Sequence, residues 1–85
     1  MKSFTYTVTD ELGLHARPAS QLVREAKKYK STITVSDGVK KTTAAQLMML
    51  MSMGIKKGMA VTATIEGEDE ETAYDAIQQF FKDNL

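Results

Sequence analysis

The chain of 85 residues contains no cysteine and no tryptophan, one proline and one histidine. Without cysteine it can build no disulfide framework, no thiolate metal site and no thiol nucleophile. A lone histidine falls short of the zinc ligand sets, so neither a metal nor a cofactor is expected. No apolar run approaches the ~20 residues of a membrane span, and the polar start Met1-Lys2-Ser3 is no secretory signal. The expectation is a soluble, cytoplasmic chain without membrane insertion. Net charge is missing as well, because eleven Lys and Arg offset eleven Asp and Glu.

What is present reads as one compact domain over residues 1–85. With 42% hydrophobic and 26% charged residues, the composition is globular and not disordered. The zero net charge conceals an uneven distribution. Residues 1–16 carry −1, residues 17–57 carry +7 and residues 58–85 carry −6. Two readings fit: a basic face for an anionic partner, or a set of solvated faces.

Three segments alternate with a period of two, the mark of half-buried strands. In residues 3–9, Phe4, Tyr6 and Val8 oppose Ser3, Thr5, Thr7 and Thr9. In 32–36 the apolar positions are Ile33 and Val35, and in 60–66 they are Val61, Ala63 and Ile65. Asp37-Gly38 reads as a two-residue hairpin turn returning through Val39 to Thr42. Threonines opposite every apolar face predict one antiparallel sheet with one covered and one open face.

Helical spacing governs the remainder. Ala19, Leu22, Val23 and Ala26 predict a helix from about Ala16 to Lys28, with Pro18 tolerated in its first turn. Leu47, Leu50 and Met51 define a short helix with core spacing, stopped by Gly54, with Met48 the more exposed member. Ala73, Ile77, Phe80 and Phe81 define a third, from about Glu70 to Asn84. The acids Glu66-Gly67-Glu68-Asp69-Glu70-Glu71 suit the positive end of its dipole. The order β-α-β-β-α-β-α is that of an α+β two-layer sandwich.

His15 falls at the N-terminal boundary of the first helix, where amides lack intrahelical partners and anions are favoured. A phosphoryl group on its ring would meet the amides of Ala16 and Arg17, and the Arg17 guanidinium would add charge-assisted hydrogen bonds. Gly13 would let the chain turn sharply ahead of it. Alternatively, His15 is an ordinary polar residue at a helix start.

The string Gly13-Leu14-His15-Ala16-Arg17-Pro18-Ala19 closely resembles the phosphorylation-site motif of the HPr family. These are the histidine-containing phosphocarriers of the bacterial phosphoenolpyruvate:sugar phosphotransferase system. The resemblance continues through Leu22-Val23-Arg24-Glu25-Ala26, Leu47-Met48-Met49-Leu50-Met51-Ser52-Met53-Gly54 and Glu66-Gly67-Glu68-Asp69-Glu70. It implies an open-faced sandwich, a four-stranded antiparallel sheet with three helices on one face. It also implies a carrier, not a stand-alone enzyme. His15 would take the phosphoryl group on Nδ1 from phospho-enzyme I, with Arg17 as electrostatic partner, and pass it to enzyme IIA domains of sugar permeases. No catalytic base is evident beside His15, so partners would supply much of the transition-state arrangement.

By the same resemblance, Ser20, Arg24, Lys27, Leu47, Met48, Met51 and Ser52 would form a docking surface around His15. Methionine suits a surface that must fit several partners. The chain departs from many relatives at Gln46, where they carry a regulatory serine. Glutamine offers no hydroxyl, so no regulatory serine is expected; the chain is either the general carrier or a specialised paralogue serving one permease. Thr43 is the residue expected to cap an earlier start of the second helix. A monomer is expected, with no nucleic-acid partner, because the threonine-rich face lacks interleaved basic and aromatic side chains. The alternatives are a regulatory paralogue acting mainly by protein binding and a small α+β ligand- or RNA-binding module.

Overall fold

The computed structural model describes residues 1–85. In chain order the elements are β1 (Lys2–Thr7), α1 (Ala16–Ala26), β2 (Thr32–Ser36), β3 (Lys41–Thr43), α2 (Leu47–Ser52), β4 (Ala60–Glu66) and α3 (Glu70–Asn84). The strands form one antiparallel sheet in the order β1-β4-β2-β3. The expected architecture, four strands with three helices on one face, is therefore what the chain adopts.

Strand alternation decides which face is covered. Phe4, Ile33, Val35, Val61, Ala63 and Ile65 are buried beneath the helices. On the open face, Ser3, Thr64, Thr34 and Thr43 share one register row across the sheet. Thr5 and Thr62 are cross-strand partners in the next row, and their hydroxyls lie 3.0 Å apart.

α3 closes the core over β1 and β4. Phe81, 1% exposed, meets the Phe4 ring edge-on at 5.2 Å and the Tyr6 ring at 5.9 Å. Truncating such a side chain to alanine costs about 3–5 kcal/mol. α1 contributes buried Ala19, Leu22 and Ala26 and packs against both α2 and α3.

Four local expectations are corrected. α1 ends at Ala26, and Lys27 is its C-cap, donating from its amide to the Val23 carbonyl. The hairpin is longer than two residues: Ser36 pairs with Lys41, leaving 37–40 as the connection. Asp37 does not take positive φ; its carboxylate instead accepts the amides of Val39 at 2.9 Å and Lys40 at 2.7 Å. Only Gly38 in this connection takes positive φ, +95°, and Val39 is left exposed outside the strand.

The third correction concerns α2. Its core anchors are Leu50 and Met53, the latter 7% exposed, whereas Met51 is 42% exposed. A six-residue helix is too short for its periodicity to decide a face, and the chain folds Met53 inward just before Gly54 reverses direction at φ +67°. Fourth, Thr43 does not cap α2. It pairs with Thr34 in the sheet, and Gln46 holds the N-cap position without a side-chain bond.

Candidate functional site

The turn before α1 is built by the backbone. The Asp10 carboxylate accepts the Leu12 amide at 3.0 Å, and the Asp10 carbonyl accepts the Gly13 amide at 3.1 Å. Gly13 adopts φ +66° against the Ile55–Lys56 backbone, so an added Cβ would overlap the Ile55 carbonyl and lie 2.7 Å from the Lys56 Cα. Both the conformation and the close approach demand glycine. Leu14 then buries its side chain and donates its amide to the Ile55 carbonyl at 3.0 Å, which fixes where the next residue emerges.

That residue is His15, the N-cap of α1, in extended backbone conformation. Its carbonyl accepts the Ala19 amide at 2.9 Å, the first bond of the helix. Its half-exposed side chain makes no capping bond, and the first turn contains no acid. By helix geometry the amides of Ala16 and Arg17 have no intrahelical acceptor, and Pro18 has no amide to offer. Arg17 is exposed, and the four ion pairs of the molecule (Met1–Glu70, Lys28–Glu25, Lys30–Glu68 and Lys57–Glu11) leave its guanidinium unpaired.

His15 and Arg17 line an open pocket of about 300 Å³ with Asp10, Pro18, Gln21, Asp83 and Asn84. The last two come from the end of α3. They are held there because the Leu85 carbonyl accepts the Asp10 amide at 2.8 Å and the Thr9 hydroxyl at 3.0 Å. Sequence reasoning missed Asp10, Gln21, Asp83 and Asn84. Gln21 stands one helical turn beyond Arg17, a spacing that could have found it, whereas no local signal links His15 to Asp83 and Asn84, about seventy residues on.

The remaining expected residues spread over the helices beside this pocket. Ser20 is half-buried on α1, and Arg24 is exposed and without an ion pair. Lys27 stands at the opposite end of α1, roughly 18 Å along the axis from His15. It lines a separate hollow with Tyr29, Thr43 and Ala45. On α2, Leu47 is half-buried against the core, while Met48, Met51 and Ser52 are exposed. Met49 is also 49% exposed, an apolar surface position that the sequence reading passed over.

The acidic stretch has a different use. Asp69 accepts the Lys30 amide and the Ser31 amide, each at 2.9 Å, and the Ser31 hydroxyl at 2.5 Å. The Ser31 hydroxyl, and after it the Lys30 amide, hold the Asp69 carboxyl below its ordinary range. Glu70 accepts the Met1 ammonium at 2.7 Å, which is the main cause of its own lowered pKa. These acids act as structural ties at the start of α3, as expected for a helix N-terminus.

Residues 2–83 match the family model described as the PTS HPr component phosphorylation site. The chain is 42% identical over 79 residues to the phosphocarrier protein HPr of Mycoplasma capricolum, covering 93% of this chain and 89% of that protein. The solved structure of a mycoplasma histidine-containing phosphocarrier protein matches with a TM-score of 0.92 at 40% identity, covering 96% of this chain and 93% of the other. An HPr dimer from Thermoanaerobacter tengcongensis matches with a TM-score of 0.76 at 38% identity, covering 98% and 95%. With the motif, the fold and these likenesses in agreement, the chain belongs to the HPr family of phosphocarrier components of the phosphotransferase system.

Proposed function

We propose that His15 is the phosphoryl acceptor of this carrier, taking the group on Nδ1 from phospho-enzyme I and passing it to enzyme IIA domains of sugar permeases. One observation carries the assignment. His15 caps a helix whose first turn holds no acid, while its own side chain leaves the helix amides free. In the transfer, the Nδ1 lone pair bonds to phosphorus as the donor's bond to phosphorus breaks. The amides of Ala16 and Arg17 and the Arg17 guanidinium then receive the phosphoryl oxygens. The same step in reverse hands the group on, because a P–N bond is labile in both directions.

The docking surface of this reading comprises Ser20, Arg24, Leu47, Met48, Met51 and Ser52, with Lys27 at its margin. Unpaired basic side chains beside exposed methionines suit acidic partners of differing shape. On this reading the chain works as a monomer, a single unit over residues 1–85. No helix is long and apolar enough to cross a membrane, in keeping with partners met in the cytoplasm. Gln46 offers no hydroxyl at the regulatory position, so a serine kinase should leave it unmodified.

The test is incubation with phosphoenolpyruvate and enzyme I. The expected product carries one acid-labile, base-stable phosphoryl group that is lost in His15→Ala. No incorporation by the wild-type chain would overturn the reading.

A further inference from the structure

The chain has six methionines and no cysteine, so thioethers are its only sulfur. Their environments differ sharply. Met53 is 7% exposed in the core, whereas Met48, Met49 and Met51 are 77%, 49% and 42% exposed along one short helix. Met1, 73% exposed, lies beside Glu70 at the start of α3. Met59 is half-buried, and its sulfur accepts the Lys56 amide at 3.2 Å. The exposed methionines thus concentrate on the helix that borders the His15 region through its packing on α1.

We propose that Met48, Met49 and Met51 form an oxidative modification site, through which peroxides reversibly switch off partner docking. The inference rests on α2 being part of the docking surface. A thioether sulfur attacks the terminal oxygen of a hydroperoxide. The O–O bond breaks, sulfur is oxidised to the sulfoxide, and the peroxide is reduced to water or an alcohol. The product is a polar group on a surface whose use requires apolar contact. A thiol-dependent methionine sulfoxide reductase reverses the step, forming water and a disulfide and restoring the thioether.

The fold protects the core from this chemistry. α2 is anchored by Leu50 and Met53, which stay buried, so oxidation of its outer face leaves the core intact. His15 carries no sulfur ligand and keeps its own chemistry. Oxidation should therefore separate two activities. Transfer from a protein partner falls, while phosphorylation by a small chemical donor such as phosphoramidate continues.

The experiment treats the full chain with hydrogen peroxide to the extent at which mass spectrometry of peptides shows oxygen on Met48, Met49 and Met51 but not on Met53. The expected result is a rise in KM for transfer from phospho-enzyme I of roughly tenfold, with an unchanged rate from phosphoramidate and recovery after reductase treatment. A variant with leucine at all three positions is compared with its own untreated rate, and peroxide should leave that ratio near one. An unchanged KM in the oxidised wild type would overturn the inference. So would equal peroxide sensitivity of wild type and variant, or loss of the folded state on oxidation. Met48→Asp in untreated protein tests the underlying surface. Unaltered partner transfer there would overturn the docking reading, whereas slowed transfer with an insensitive oxidised protein would overturn the oxidation inference alone.

Discussion

The chain starts its two longer helices in opposite ways. α3 opens with Glu70 and Glu71 in its first turn, and the Asp69 carboxylate before it ties down residues 30 and 31. Its positive end is already supplied with negative charge. α1 opens with His15, Ala16, Arg17 and Pro18, with no acid and no side-chain cap. Neither N-cap makes a side-chain capping bond, but the acids that stabilise the start of α3 are absent from the start of α1. A helix end left short of anions in a folded protein is a place where an anion can be received. A helix start serves as a structural joint in α3 and, as proposed, as the phosphoryl site in α1; the N-cap backbone differs too, with ψ −173° at His15 and ψ 29° at Asp69.

The sharpest way to break this contrast is to disturb the turn that presents α1. Gly13→Ala places a Cβ against the Ile55 carbonyl and forces a positive-φ residue to carry a side chain. It should cost about 1–3 kcal/mol and slow phosphoryl uptake, measured by denaturant unfolding and by initial transfer rates. A stable, fully active variant would show that the turn does not position His15. His15→Ala should abolish uptake while changing stability by less than about 0.5 kcal/mol, because the ring is half-exposed and unbonded.

A subtler variant makes α1 resemble α3. Ala16→Glu supplies the missing first-turn acid. It should raise helix stability by a few tenths of a kcal/mol and reduce phosphoryl acceptance roughly tenfold, since the carboxylate competes for the same amides. Thermal melts and the extent of phosphorylation would report the two effects, and unchanged acceptance would sink the idea that the empty helix end matters.

The smallest effect concerns the α3 side. Asp69→Asn should lower the melting temperature and leave His15 phosphorylation unaltered. Here the folded carboxyl has the lower pKa, so its contribution is complete above the unfolded value of about 4 and disappears as pH falls through the folded value. The variant should accordingly show a flatter loss of stability with acid than the wild type. A parallel acid profile would assign the pH dependence elsewhere.

How far the sequence carried depended on how local each feature is. β2, β4 and α3 lie where alternation and helical spacing put them, since both patterns repeat enough times to fix a face. The hairpin did not. Asp-Gly permits more than one turn, and the Asp37 carboxylate selected the longer one by bonding the Val39 and Lys40 amides. Met53 faces the core where the spacing predicts Met51, because α2 is too short to average over its faces. In the site, the His15 motif was legible as a contiguous string. The opposite wall was not, because Asp83 and Asn84 reach it through the bonds of residues 9 and 10 to the Leu85 carbonyl.

By itself, the order of residues determined the alternation of the strands, the helix that begins at His15 and the family resemblance, because each is written in neighbours along the chain. Tertiary structure alone decided which methionines face water, which carboxylates tie loops and which share a pocket with His15. Those outcomes depend on distances between segments remote in sequence, and packing of the sheet against its three helices sets those distances.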